Sequence, residues 1–302
     1  MSLAAPLPEL RLTLPPGLTA VGHAAMATEF VLHLGGHEPA YLRQAAVEAG
    51  REIDRLEETL SFYREASDVT RLNRATAGAE IRVSPDTLAC LALAAEAAEL
   101  TGGAFDAFTG RAAVAAKHQD IPLHLRDAPS PDERDVPGPV FSLHPEAGLV
   151  RKLRSGPWLD LGALGKGYAL DAAAAVLQEW GVTEGFLSAG GSSLRGLGGK
   201  GWQLELGASA ASIPLPGAFG LGASGFLFQP GHIIDARAPG DVSSAKRTVA
   251  LAPSAARADA LSTAAMLLTA PQLAELVRSQ PDLALLVIDP QGRRQGYGPP
   301  FA

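Results

Sequence analysis

Apolar residues recur along residues 38–60 at Leu42, Ala45, Ala46, Ala49, Ile53, Leu56 and Leu60, the spacing of a long amphipathic helix that lays one face on a sheet. Residues 28–34 alternate as a strand. A second helix over residues 84–100 stops at Gly102 and Gly103, which take the left-handed conformation that closes helices. Helical spacing returns over residues 168–179. Ser254 caps a helix running to Leu268, and residues 272–279 form another. Short strands are predicted at residues 140–143, 149–153, 158–161, 185–188, 202–206, 248–252 and 283–288, with a turn at 289–292. Residues 1–20 read as an irregular arm, residues 60–73 as a polar and aromatic segment, and 212–223 as loop. The glycine-dense stretch 189–201 reads as a turn that wraps a ligand or as a flexible hairpin. Residues 117–139 hold five prolines and four aspartates and read as a surface insertion. The length leaves room for two ordinary domains or one large one behind the arm.

Composition narrows the function. At 302 residues, with 47% hydrophobic and 19% charged residues, the chain can bury a substantial core. A net charge of −7 without blocks of like charge argues against a general nucleic-acid binder or a membrane-surface patch. The single cysteine, Cys90, lies in an apolar run and reads as a core residue, so no internal disulfide or cysteine metal cluster forms. The start of the chain lacks a basic segment followed by a long apolar run, and no membrane span is expected. The compartment stays open: cytoplasmic for the chain as it stands, periplasmic or membrane-anchored if a leader has been removed.

The chemistry concentrates in three places. Residues 159–171 pass from strand to helix through Gly162, Gly165 and Gly167 with Lys166 at the turn, an arrangement that offers unpaired N–H groups and a mobile cation to an anion such as phosphate. A P-loop is excluded. Asp160 and Leu194 stand where its first glycine belongs, and no Ser or Thr follows Lys166 or Lys200. The dinucleotide fingerprint is also absent here. In 258–264, Asp259 and Thr263 lie four apart on one helical face among Ala260, Leu261 and Ala264, so a hard cation such as Mg²⁺ is one partner for the carboxylate. The alternative is that Asp259 pairs with Arg257 or another surface base while Thr263 bonds back to a carbonyl. His232 and Asp235 flank two isoleucines. The other histidines, His23, His33, His37, His118, His124 and His144, show no metal-ligand pairing.

Taken in order, Met26-Ala-Thr28, Leu60-Ser-Phe-Tyr63, Ser67-Asp-Val-Thr-Arg-Leu-Asn73, Thr101-Gly-Gly-Ala-Phe-Asp106, Asp160-Leu-Gly-Ala-Leu-Gly-Lys-Gly-Tyr-Ala169 with Asp171, His232-Ile-Ile-Asp235 and Ala258-Asp-Ala-Leu-Ser-Thr-Ala264 resemble the motifs of the FAD:protein FMN transferase (ApbE) family. The resemblance covers roughly residues 26–268. It implies an α+β fold, mixed sheets covered by helices in a single domain over residues 21–302, that binds FAD with Mg²⁺ at its diphosphate and transfers FMN to a Thr or Ser hydroxyl of a partner flavoprotein, releasing AMP. On that resemblance Asp259 and Thr263 are metal ligands, completed by backbone carbonyls near Ala163 and Ser262. Lys166 neutralises a phosphate, His232 is the base and Asp235 orients the site. Met26, Tyr63, Phe105 and Asp106 line the flavin or adenine pocket, with Ser188, Gly190, Gly191, Lys166 and His232 also at the nucleotide. The sequence departs from the family pattern at Ala27, at Ser188-Ala-Gly-Gly-Ser192 and at Ala236-Arg-Ala-Pro-Gly240. A flavin carrier without transfer, or an FAD diphosphatase using water, are the alternatives these departures leave.

Overall fold

A computed structural model of the chain describes residues 10–13, 16–116, 119–129, 138–199, 201–206, 212–225, 234–235, 237 and 246–302. The first half of the chain runs β1 Leu10–Thr13, β2 Thr19–Ala25, β3 Thr28–Gly35, α1 Pro39–Leu60, α2 Asp68–Arg74, β4 Glu80–Arg82, α3 Pro85–Leu100, α4 Gly110–Ala116, β5 Phe141–His144 and β6 Leu149–Lys152. The second half adds α5 Gly165–Glu179, β7 Glu184–Ala189, β8 Ser193–Gly198, β9 Gln203–Leu206, β10 Ile213–Pro214, β11 Ala218–Gly225, β12 Arg247–Ala252, α6 Ala255–Ala265, α7 Ala270–Ser279, β13 Ala284–Ile288 and β14 Arg294–Tyr297. The fold is α+β in a single domain, and the strand pairs are antiparallel.

An eight-stranded sheet in the order β14-β13-β12-β11-β8-β7-β3-β2 divides the core. On one face α1 buries the seven apolar residues of its stripe, and α5 and α6 pack beside it. On the other face Phe186, Leu194, Phe219, Leu221, Val249 and Leu286 form a second cluster with Trp202 and Leu204, under the small sheet β1-β9-β10. The alternation of a strand, one face then the other, therefore sorts β11 into Phe219, Leu221 and Ala223 on this second face and Gly220, Gly222 and Ser224 toward α6.

Those small residues are the reason α6 sits where it does. A Cβ on Gly220 would lie 2.1 Å from the Ser254 carbonyl carbon, and one on Gly222 would lie 2.5 Å from Ala258 backbone atoms. From the other side, a Cβ on Gly167 of α5 would lie 2.3 Å from the Ala255 carbonyl oxygen. Helix α6 is thus held backbone to backbone between β11 and α5. Its N-terminus is capped twice. Ser254 Oγ accepts from the Arg257 N–H at 3.3 Å, and the Asp171 carboxylate on α5 accepts from the Ala255 and Ala256 N–H groups at 3.0 and 2.9 Å.

Several expectations need correction. The arm is partly regular, since Leu10–Thr13 pairs with β9 and β2 begins at Thr19. The stretch 189–201 is a tight turn followed by strand β8, and 212–223 contains the buried strand β11. Residues 158–161 make one isolated bridge, Thr109 to Trp158, and no strand. Residues 60–73 end in helix α2, whose N-cap Ser67 accepts from the Thr70 N–H. Helix α4 ends just before the insertion, whose described residues include a 3-10 turn at Leu123–Leu125, with 117–118 and 130–137 outside the described residues.

Gly222→Ala is expected to destabilise the protein by about 1–3 kcal/mol, the usual cost of forcing extra atoms into a packed interior, because the neighbouring atoms are backbone and cannot turn away. Urea denaturation measures it; an unchanged midpoint would contradict the close packing of α6 on β11.

Candidate functional site

Lys166 and Gly167 occupy the first turn of α5, and the first N–H groups of a helix have no partner within it. One of them is used across the site. The Gly167 N–H donates to Asp259 Oδ2 at 2.9 Å, and the Ser193 hydroxyl donates to the same oxygen at 2.7 Å. Asp259 is 5% exposed, and burial pushes its carboxyl up to about 7, opposed by the nearby Lys166 charge and by these two hydrogen bonds. Asp259 does not pair with Arg257, whose guanidinium instead reaches Gln280 and Glu96.

One turn along α6, Thr263 Oγ donates to the Asp259 carbonyl at 3.1 Å and lies 3.3 Å from Ser224 Oγ. This is the carbonyl contact named above as one alternative, yet the threonine oxygen keeps lone pairs for a cation. Ser262 lies beneath. Its hydroxyl donates to the Asp259 carbonyl at 3.0 Å and meets Ser224, while its carbonyl accepts from Thr248 at 2.6 Å, so it ties α6 to β11 and β12. The carbonyl of Ala163 is placed differently. A helix begun one turn earlier would give it the Gly167 N–H, but that group goes to Asp259, and no backbone N–H among the described residues reaches it.

These donors fit Mg²⁺. Among the described residues no group of three or more His, Cys, Asp or Glu side chains gathers to hold a metal. What gathers is a single carboxylate with an unused Oδ1 among the described donors, a threonine hydroxyl and an open carbonyl. A hard cation that takes its remaining ligands from phosphate and water suits such a set.

The strand-to-helix segment is anchored from behind by a residue to which sequence reasoning gave no role. Asn73 Nδ2 donates to the Leu159 carbonyl at 2.9 Å and its Oδ1 accepts from the Leu159 N–H at 2.7 Å. Lys152, fully buried, donates to the carbonyls of Leu72 and Pro157, and burial lowers its pKa to about 8. Ser193 was also missed, because 189–201 reads as one turn; a polar residue directly after Gly190-Gly191-Ser192 is the only signal the letters carry. Asp171 belonged to the quoted motif without a task, and it proves to cap α6.

A tight turn joins β2 to β3. Met26 and Ala27 have φ of +51° and +56°, left-handed values that favour glycine. Gly190, with φ of +59°, donates its N–H to the Glu29 carbonyl, and a Cβ on it would lie 2.5 Å from Thr28 Oγ. The Gly190–Gly191 turn therefore packs on Thr28 and Glu29 at the start of β3, and Ser193 just after it reaches Asp259. A cavity of about 760 Å³ opens along residues 22–29 and Glu57. Ser188 Oγ bonds back to the Val31 carbonyl at 3.4 Å within the sheet.

Other expected residues divide. Tyr63 is 55% exposed, its hydroxyl pushed up by partial burial and by Asp160. Asp106 Oδ1 accepts from the Phe108 N–H. Phe105 is only 1% exposed and packs in the core. Asp235 binds the Arg237 guanidinium through both oxygens at 2.9 Å, and Arg237 reaches the Leu267 carbonyl after α6. Its carboxylate braces that segment. His232 lies outside the described residues.

The ApbE family model matches residues 26–287. The chain belongs to the ApbE family. Among solved structures it resembles flavin transferase ApbE from Vibrio cholerae, with 20% identity over 95% of this chain and 99% of that one and a TM-score of 0.73. The ApbE protein of Thermotoga maritima shares 22% identity over 93% and 97% with a TM-score of 0.75, and the apo flavinyl transferase ApbE of Pseudomonas stutzeri 20% over 93% and 95% with 0.74. These likenesses concern the fold. No curated protein matches the sequence. No described helix of this ApbE-family chain is long and apolar enough to cross a membrane.

The Asp259 carboxyl titrates near 7 in the folded chain against about 3.9 unfolded, so in that window the folded state holds more protons. Stability of the metal-free protein is expected to fall as pH rises from about 4 to 7, and Asp259→Asn removes that component. Denaturation midpoints in EDTA measure it, and equal pH slopes for the two proteins would contradict the burial of an unpaired carboxylate. Ala27→Gly relieves the left-handed strain and is expected to stabilise by about 1 kcal/mol, read by the same denaturation.

Proposed function

We propose that this ApbE-family chain is an FAD:protein FMN transferase that uses Mg²⁺ to move FMN from FAD onto a Thr or Ser hydroxyl of an acceptor flavoprotein, with release of AMP. The observation that carries the reading is the buried Asp259 carboxylate, held by Gly167 and Ser193 beside Lys166 with one oxygen open, at the start of a helix. Mg²⁺ held by Asp259 Oδ1, Thr263 Oγ and the Ala163 carbonyl would neutralise oxygen charge on the FAD diphosphate.

The chain's own groups do the rest. Lys166, in the first turn of α5, would bring its ammonium to the diphosphate at the positive end of the helix, where the neighbouring Gly165 and Gly167 N–H groups are taken by the Leu161 carbonyl and Asp259. Phosphoryl transfer requires mostly positioning and charge stabilisation, so a rigid α5–α6 pair is the main catalytic device. The acceptor hydroxyl must lose its proton as the new P–O bond forms, and AMP departs with the old one. His232 is the proposed base, since a neutral imidazole can accept the hydroxyl proton. The open cavity beside Met26 and Glu57 and the exposed Tyr63 offer an apolar floor and a ring for the flavin and adenine.

AMP release from FAD by the purified protein, with Mg²⁺ or EDTA and with a peptide bearing an acceptor threonine, tests the reading. Expected are Mg²⁺-dependent AMP and flavin covalently on the peptide. AMP with free FMN and no labelled peptide would make the protein a diphosphatase; bound FAD with no AMP would make it a carrier. Asp259→Ala is expected to abolish turnover while the protein stays folded. His232→Ala is expected to slow transfer by about 10²–10⁴-fold with little change in FAD affinity, and full activity would remove it as the base.

A further inference from the structure

We propose that Ser193 sets the metal selectivity of this site, favouring Mg²⁺ over Ca²⁺, by keeping one oxygen of Asp259 away from the cation. The inference rests on the reading of Asp259 as a Mg²⁺ ligand. It goes beyond that reading in naming the residue that decides which divalent cation the carboxylate accepts.

Asp259 Oδ2 already accepts two hydrogen bonds, from the Ser193 hydroxyl at 2.7 Å and the Gly167 N–H at 2.9 Å. Two donors use the two lone pairs of that oxygen. The carboxylate therefore offers a cation Oδ1 alone. Mg²⁺ demands a tight octahedron and takes one oxygen from each carboxylate, filling the remaining positions with phosphate and water. Ca²⁺ seeks six to eight oxygens at longer distances and commonly takes both oxygens of a carboxylate. Here the second oxygen becomes available only when a charge-assisted hydrogen bond is broken in a dry setting, where no water replaces it.

The fold gives Ser193 no freedom to release that bond. It is 1% exposed and opens β8, an interior strand in which it pairs with Gly222 of β11 on one side and Ala189 of β7 on the other. The Gly167 donor is equally fixed, because a Cβ there would collide with the Ala255 carbonyl and the residue cannot move outward with α6 in place. The other protein oxygens at the site, from Thr263 and Ala163, are neutral and single, so none of them offers Ca²⁺ a bidentate contact in place of the missing one. Ser193 is on this view a positioning residue that acts through Asp259.

Calorimetric titration of the FAD-loaded protein with Mg²⁺ alone and with Ca²⁺ alone reads the ratio of their dissociation constants. The wild-type ratio is expected to favour Mg²⁺ by at least about tenfold, the factor one hydrogen bond to a charged group is worth. Ser193→Ala is expected to shrink that ratio by a similar factor, mainly through tighter Ca²⁺ binding. Ser193→Thr, which retains a hydroxyl, should restore it, and Ser193→Cys, which keeps the volume with a weaker donor, should fall between; melting curves in EDTA show that each is folded. Equal wild-type affinities, or a ratio that Ser193→Ala leaves unchanged while Mg²⁺ still binds, would overturn the selectivity role and leave the Mg²⁺ reading standing. Absence of Mg²⁺ binding in the wild type would overturn both.

Discussion

The site depends on how closely one helix approaches its neighbours. Helix α6 lies against β11 and α5 at distances that only glycine permits, at Gly220 and Gly222 beneath it and Gly167 beside it. Side chains at those three positions would push the helix away from both. The Gly167 N–H could not then reach Asp259, and Ser193 of β8 would fall short of the same oxygen. Asp171 and Ser254 fix the helix along its own axis by capping its N-terminus, so the carboxylate one turn later has a defined position. Precision at Asp259 thus comes from backbone contacts, which do not change rotamer.

That closeness has an electrostatic consequence. A carboxylate shut away from water would rather hold a proton, and the two hydrogen bonds and Lys166 only partly offset its desolvation. A buried anion left at neutral pH in this state is an unfinished interaction. A cation that also contacts a diphosphate would complete it, which links metal binding, substrate binding and the stability of α6. On the proposed reading a single carboxylate would suffice, since a bound diphosphate would bring the other negative oxygens.

Much of this was legible in the letters. The stripe on α1, the cap at Ser254 and the pairing of Asp259 with Thr263 on one helical face follow from spacing and residue type alone. The ordered motifs led to the ApbE family, which the match over residues 26–287 bears out. What stayed hidden has a common physical cause. Strand β11 carries Gly220, Gly222 and Ser224 where a strand usually carries branched residues, so it reads as a loop; its small residues answer to a helix far along the chain. Ser193 was lost in the same way inside a glycine-rich stretch. The depth of Phe105 was hidden too, because an aromatic in a motif is as readily core as pocket, and burial is not written in the letters. Asn73 gave no signal of its own, since its two bonds reach Leu159, 86 residues away.

A crystal structure of the FAD complex grown with Mn²⁺ in place of Mg²⁺ would test most directly whether Asp259 is the centre of a metal site at the diphosphate. The anomalous signal locates the ion independently of the protein atoms. The expected result is one strong peak in bonding contact with Asp259 Oδ1, Thr263 Oγ, the Ala163 carbonyl and a diphosphate oxygen, with Ser193 still on Oδ2. A peak elsewhere, or bound FAD with no ion beside Asp259, would contradict the assignment.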